Sequence, residues 1–332
     1  MKIVTDDKIP HISRLFTDCD EIIYLPGEKI TRADLIDADI LLTRTVTRVD
    51  QALLENTAIR FVGTATTGID HIDTVYLDKK NITLATAAGA NAEAVAEYIA
   101  CCVTALKKNK FLENKKVVGI IGCGRIGRLV AKLFETLGFQ VFCYDPLLKE
   151  KLPLHFISFE KLILTCDIIS IHTPLTKTGS HPTFNLINEA ALKKIKPGAI
   201  LFNTARGDII DESALLNIKN IILCLDVWKN EPHISLELLH NVTIGTPHIA
   251  GYSAQAKYRA TEMIYNAAAE FFAWGKKYLQ TDKEKNCAEN FLSHYNPLAH
   301  TTQFQNAFQH CKTNDDIAKI FIDERKNYSL RN

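Results

Sequence analysis

Short apolar runs alternate with polar or amphipathic stretches from the first residues of the chain. Residues 2–5, 21–25, 40–43, 61–65 and 82–86 have strand length and strand composition, with helical or turn-like segments between them. One such segment, 31–36, opens with a capping Thr31 and carries Asp34 at the third helical position. A long helix is expected from Asn91, where Ala94, Val95, Tyr98, Ile99, Cys102, Ala105 and Leu106 recur at helical spacing. A second series of strands follows at 116–121, 139–144, 167–172, 199–203, 221–226 and 242–245, and a helix over 253–274 is expected to close it. Such alternation predicts an α/β fold with parallel sheets covered by helices.

Beyond Lys276 the pattern changes. The segment is polar with little periodicity, but Phe291, Tyr295, Phe304, Phe308, Phe321 and Tyr328 need something to pack against. A small appended module is therefore expected over 281–332, in preference to a disordered tail.

Composition narrows the function classes. With 332 residues, two domains are affordable. A formal net charge of +1 leaves no basic field for nucleic acid and no polybasic stretch for a membrane surface. The N-terminus has neither a signal-peptide core nor a transit pattern, and no apolar run is long enough to span a bilayer. The nine cysteines are scattered without a C-x-x-C, which reads as free thiols, with no disulfide framework and no metal site. A cytoplasmic enzyme fits these features.

The clearest chemical signal is Gly122-Cys123-Gly124-Arg125-Ile126-Gly127, a G-x-G-x-x-G that follows an apolar strand. Three glycines alone can mark a turn, but here a helical face of Ile126, Leu129, Val130, Leu133, Phe134 and Leu137 follows, ended by Gly138. The next strand ends in Asp145, eighteen residues after Gly127. In such a loop Gly122 permits the tight turn, Gly124 lets the backbone approach a pyrophosphate, and Gly127 lets helix and strand pack closely. Asp145 can accept from ribose hydroxyls and repels a 2′-phosphate, so NAD is expected over NADP.

Three polar motifs lie at the ends of successive expected strands: Asn203-Thr204-Ala205-Arg206-Gly207-Asp208, Leu225-Asp226-Val227-Trp228-Lys229-Asn230-Glu231-Pro232, and Thr246-Pro247-His248-Ile249-Ala250-Gly251-Tyr252. Together with the glycine loop they resemble the D-isomer-specific 2-hydroxyacid dehydrogenases over about the first 275 residues. The resemblance implies a catalytic trio of Arg206, Glu231 and His248. The chemistry agrees with those residue types. An imidazole can remove a hydroxyl proton and return it near neutral pH, and a carboxylate fixes its tautomer and stabilises the imidazolium. A guanidinium can hold a substrate carboxylate in its fork of N–H donors. Taken singly, each has a duller reading, as a helix cap, a surface ion pair or a solvated charge. The joint pattern carries the assignment.

The same resemblance places Arg125, Ile126, Thr173, Ala205, Asp226 and Gly251 with the cofactor, and Tyr252 in the substrate pocket. It also implies two Rossmann-like or flavodoxin-like parallel-sheet domains. A substrate-binding domain would cover 1–92, completed by about 264–280, and an NAD-binding domain would cover 93–263.

Within the family, Arg44-Thr45-Val46-Thr47-Arg48, the stretch 61–71 and the stretch 91–98 look most like the erythronate-4-phosphate dehydrogenases. Those oxidise 4-phospho-D-erythronate to the 2-oxo acid in pyridoxal 5′-phosphate biosynthesis. The likeness suggests Thr45 and Thr66 as substrate contacts, with Arg44 and Arg48 as candidates for the phosphate. Residues 295–298, Phe304 and 324–331 resemble parts of that family's C-terminal dimerisation domain in shortened form; a homodimer is expected, for which the resemblance also offers overlap of the catalytic domains as a second route. The rival readings are a phosphoglycerate or glyoxylate/hydroxypyruvate dehydrogenase and an NAD-sensing corepressor-like protein.

Overall fold

The structure is a computed structural model that describes residues 1–148, 151–279 and 295–331. Five strands, β1 (Lys2–Asp6), β2 (Glu21–Leu25), β3 (Ile40–Thr43), β4 (Phe61–Thr64) and β5 (Thr83–Thr86), form one sheet in the order β2-β1-β3-β4-β5. All pairs are parallel. Successive residues of a strand face opposite sides. Ile3, Ile40, Leu42 and Phe61 therefore enter one core with Ile12, Leu15 and Phe16. Val4, Leu41 and Val62 enter another with Leu35, Leu54, Tyr76 and Leu77. Burial on both faces is why these strands read as unbroken apolar runs.

The second sheet holds β6 (Val117–Ile121), β7 (Gln140–Tyr144), β8 (Ile168–Ile171), β9 (Ile200–Asn203), β10 (Ile222–Leu225) and β11 (Ile244–Gly245). Its order is β11-β10-β9-β8-β6-β7, again parallel. A single bridge between Cys143 and Phe156 lies beyond β7, where a fully formed doubly wound sheet carries one more strand. In each sheet the strand order reverses beside the first strand, at β1/β3 and at β6/β8. Open α/β sheets bind ligands outside the carboxyl ends of their strands at such points.

The described chain divides into two units, Met1–Asn91 with 252–279 and Ala92–Gly251 with 295–331. The return to the first unit thus falls at Tyr252, earlier than the expected 264. The helix Ala254–Phe271, expected to close the second series, buries Ile264, Tyr265, Ala268 and Ala269 against the first sheet instead. Its amphipathic stripe marks it as a packed helix without naming the sheet that receives it.

The appended segment belongs to the second unit. Asn296 caps the helix Pro297–Ala307, and Thr313 with Asp316 caps the helix Asn314–Lys326. Phe304, Phe308 and Phe321 join the core that contains Leu201, Leu225 and Trp228. Gly245 N donates to Thr301 Oγ1 at 2.9 Å, so this segment also ties the edge strand β11. The aromatics assigned above to a dimerisation-like module are thus packed within the chain itself. Phe291 lies outside the described residues, as do 280–294 generally. The eight described cysteines are free thiols. Among the described residues no helix is long and apolar enough to cross a membrane.

Candidate active site

The glycine loop follows β6. Gly122 has φ 88, a left-handed conformation, and a Cβ there would lie 2.8 Å from both the His172 carbonyl carbon and the Thr173 amide nitrogen. At Gly127 a Cβ would fall on the Gly122 carbonyl oxygen, far inside contact distance. Gly124 differs: it precedes the helix Arg125–Thr136, and a Cβ there would meet nothing within 4 Å. The outer side of the loop is therefore open, at the N-terminal end of the helix and of its dipole. Arg125 and Ile126 form that first turn.

Two polar groups complete this region. Asp145 Oδ2 accepts from Cys123 N at 2.8 Å, and Oδ1 accepts from Leu147 N and Leu148 N at 3.0 and 3.1 Å. Three backbone donors fix the carboxylate beside the loop and leave acceptor capacity for a ribose hydroxyl. Thr173 Oγ1 is buried with no hydrogen-bond partner, a vacancy that a bound nucleotide would fill. An open Gly124, a fixed Asp145 and an unsatisfied Thr173 hydroxyl together fit a dinucleotide. His172, just before Thr173, faces Ser170 Oγ through Nε2 at 2.9 Å, and burial pushes its imidazole down to about 3. It stays neutral and adds no charge to the site.

The trio sits on the loops that leave three neighbouring strands, β9, β10 and β11. His248 Nδ1 faces Glu231 Oε2 at 2.7 Å. The other carboxylate oxygen, Oε1, accepts from Trp228 N at 2.8 Å, which sets the carboxylate plane. Burial alone would push the Glu231 carboxyl up. The charge and hydrogen bond of His248, the Trp228 amide and the charge of Arg325 outweigh it, and the carboxyl ends below its usual range. Arg206 follows β9 on a loop wrapped around buried Asn203. Asn203 Oδ1 accepts from Ala205 N at 3.1 Å, and Nδ2 donates to Arg206 O at 2.9 Å. Gly207 then packs backbone to backbone on the loop of Glu231, since a Cβ there would fall on the Trp228 carbonyl group.

Asp226, which the resemblance places with the cofactor, braces the neighbouring loop in this structure. It is 1% exposed and lies under the His248 loop. Its Oδ1 accepts from Thr246 Oγ1 and Ile249 N, both at 2.7 Å, and its Oδ2 accepts from Ala250 N at 2.9 Å. These bonds hold His248 at φ 57, a left-handed conformation costing roughly 1–3 kcal/mol. Burial pushes the Asp226 carboxyl up, against the lowering effects of His248, Thr246 and the two amides.

Residues 102–250 match the NAD binding domain of the D-isomer specific 2-hydroxyacid dehydrogenases. An erythronate-4-phosphate dehydrogenase of Coxiella burnetii is 50% identical over 274 residues, which are 82% of this chain and 75% of the relative. The chain belongs to the D-isomer specific 2-hydroxyacid dehydrogenase family. A second relative, the erythronate-4-phosphate dehydrogenase of Cellvibrio japonicus, is 44% identical over 81% of this chain and 71% of its own length. The D-lactate dehydrogenase of Aquifex aeolicus, solved with NAD and lactic acid, superposes with a TM-score of 0.68 at 27% identity. The match covers 82% of this chain and 96% of that one.

The remaining candidates lie on loops that follow strands. Thr45 is exposed on the turn after β3. Thr66, after β4, donates from Oγ1 to Gly68 O at 2.9 Å and shares a hydrogen bond with Thr64 Oγ1 at 2.8 Å. Tyr252 is half-buried, with Lys257 Nζ 6.0 Å from its ring centre. Ala205 is buried within the Asn203 turn, and Gly251 is the last residue of the second unit before the chain crosses back.

Sequence reasoning passed over several residues that the structure makes prominent. Asn203, Gly207, Trp228 and Thr246 lie inside the quoted motifs, but their roles are contacts between loops and leave no local signature. Lys257 looks like an ordinary helix charge. Arg331 looks like a polar tail residue.

Proposed function

We propose that this dehydrogenase oxidises C2 of 4-phospho-D-erythronate to 3-hydroxy-2-oxo-4-phosphooxybutanoate. NAD, when bound, accepts the hydride from C2. His248 removes the hydroxyl proton through Nε2, because Nδ1 is turned to Glu231. Glu231 keeps the ring oriented and balances the positive charge it gains. Arg206 holds the substrate carboxylate and polarises the C2 oxygen. The observation that carries this reading is the 2.7 Å His248–Glu231 pair, in a chain half identical to an erythronate-4-phosphate dehydrogenase.

The phosphate group calls for cations, and the first unit offers a pair. Burial and the charge of Arg44 both push the Lys257 ammonium down, so the two cations are near enough to repel. A dianion between them would relieve that repulsion. Arg44 is anchored by Nε to buried Asp6 at 3.0 Å. Arg48 is paired with Asp50 and 79% exposed, which leaves Arg44 the better of the two arginine candidates. Thr45, Thr66 and Tyr252 supply polar contacts to the rest of the acid. The likeness of the tail to the family's dimerisation domain supports a homodimer, which light scattering would register as twice the chain mass.

NAD reduction measured on erythronate 4-phosphate, 3-phosphoglycerate and glycerate, with NADH oxidation on glyoxylate and hydroxypyruvate, tests the assignment. The first substrate should have the highest kcat/KM, and turnover confined to another would replace it. Lys257→Ala should raise KM for the phosphorylated acid about 10–100-fold, the value of one charge-assisted hydrogen bond, with a smaller change in kcat. Unphosphorylated erythronate should be indifferent to the change.

A further inference from the structure

Arg331 is 5% exposed, and its described hydrogen-bond partners are all uncharged. Nη1 donates to Ile249 O at 3.4 Å and to the Tyr328 hydroxyl at 3.0 Å. Nη2 donates to Ala94 O at 3.0 Å and to Ala250 O. Three ring faces surround the guanidinium carbon, those of Tyr98, Tyr295 and Tyr328, at 5.7, 5.5 and 5.9 Å. Burying a cation is expensive, and here carbonyl dipoles and aromatic faces offset the desolvation.

The carbonyls that Arg331 takes are those of the residues whose amides Asp226 takes. Ile249 and Ala250 have their N–H groups on the Asp226 carboxylate and their C=O groups on the Arg331 guanidinium. The two residues that follow His248 are thus held between a buried anion and a buried cation, and the peptide that joins them is gripped from both sides. Ala94 O extends the grip to the start of the helix Ala92–Lys108, so the loop is braced against a long element. A second path joins the same parts: Tyr98 Oη meets Thr246 Oγ1 at 2.7 Å, and Thr246 Oγ1 donates to Asp226.

We propose that Arg331 is a positioning residue for the dehydrogenase reaction. By fixing the Ile249 and Ala250 peptides opposite Asp226, it holds the left-handed His248 backbone and keeps the imidazole on Glu231. It touches neither substrate nor cofactor. The proposal rests on His248 being the base. A displacement of about 1 Å at a reacting group can cost on the order of 100-fold in rate, so the tail residue has leverage on turnover.

The test uses the full-length chain with Arg331→Lys and Arg331→Met, assayed with the best substrate of the panel. For Arg331→Met, kcat should fall about 10–100-fold, while the NADH dissociation constant, read by fluorescence titration, stays within about two-fold of the parent. Arg331→Lys should recover part of the rate. With substrate deuterated at C2, the isotope effect on kcat should rise in Arg331→Met as the transfer step becomes limiting. A variant that loses thermal stability but keeps parental kcat and isotope effect overturns the proposal. If Arg331→Met does not fold, Arg331→Lys decides, at a temperature where its circular dichroism matches the parent, and an unchanged kcat overturns the proposal. A parent chain inactive on every acid of the panel would strike the function reading instead, a separate result.

Discussion

In the proposed mechanism His248 and Glu231 divide the work of one base: the imidazole carries the proton and the carboxylate, paired with it, carries its orientation and counter-charge. His248→Ala should therefore lower kcat by about 10²–10⁴-fold, the usual share of general acid–base catalysis, with NADH binding little changed. Glu231→Gln keeps a hydrogen-bonding group of similar size but loses the charge, so a smaller loss of kcat is expected from the same assay. Gly127 answers to sterics alone. Its replacement by Ala drives a methyl into the Gly122 carbonyl and should both weaken NADH binding at least about ten-fold and lower the melting temperature. His172 makes a pH prediction. Its folded pKa of about 3 lies below the unfolded value of about 6.5, so the unfolded chain binds the extra proton between those limits. Its contribution to stability is complete above pH 6.5 and is lost as pH falls through that window. Urea unfolding at pH 7.5 and pH 5.5 should show about 1.4 kcal/mol more loss in the parent than in His172→Asn.

At the scale of elements, convergence of the trio follows from strand order. β9, β10 and β11 are parallel neighbours, so the loops at their carboxyl ends meet at one edge although more than forty residues separate Arg206 from His248. The strands were legible because each is a short run of Ile, Leu, Val and Phe between turn residues. Their ends were less so. Of the stretch 242–245 only Ile244 and Gly245 pair with β10, because pairing depends on a neighbour the local pattern does not contain. Gly207 illustrates the same limit. Nothing near it in the sequence marks it as the contact between two loops, yet Gly207→Ala should separate the Arg206 and Glu231 loops and cut kcat/KM by at least about ten-fold. Parental kinetics in that variant would mean the Trp228 backbone can yield.

For the whole molecule, the deciding features are which parts of the chain return to which unit. Residues 252–279 go back to the first sheet and 295–331 join the second. The aromatics of the tail announced that they would be buried, and Phe304 is fully so, beside Trp228 and Phe321. Phe304→Ala should therefore destabilise the second unit by about 3–5 kcal/mol, the usual effect of deleting a buried aromatic, measurable as a lower urea midpoint. A change under about 1 kcal/mol would mean that the tail is an ornament on the unit, independent of its core.

The α/β class and the glycine loop could be read from the sequence alone, while the roles of Arg206, Glu231 and His248 are what the family resemblance implies. The class and the loop rest on local period and short spacing, and these are carried by neighbours along the chain. The resemblance returned residues from about 264 to the first unit, but the packing of the helix Ala254–Phe271 on its sheet, the turning of Asp226 under the His248 loop and the arrival of Arg331 on the other side of the same peptides were decided by the tertiary structure. Those depend on contacts between residues far apart in the chain, 237 positions for Arg331 and Ala94. Such contacts are selected by which surfaces the folded sheets leave uncovered, and only the folded chain defines those surfaces.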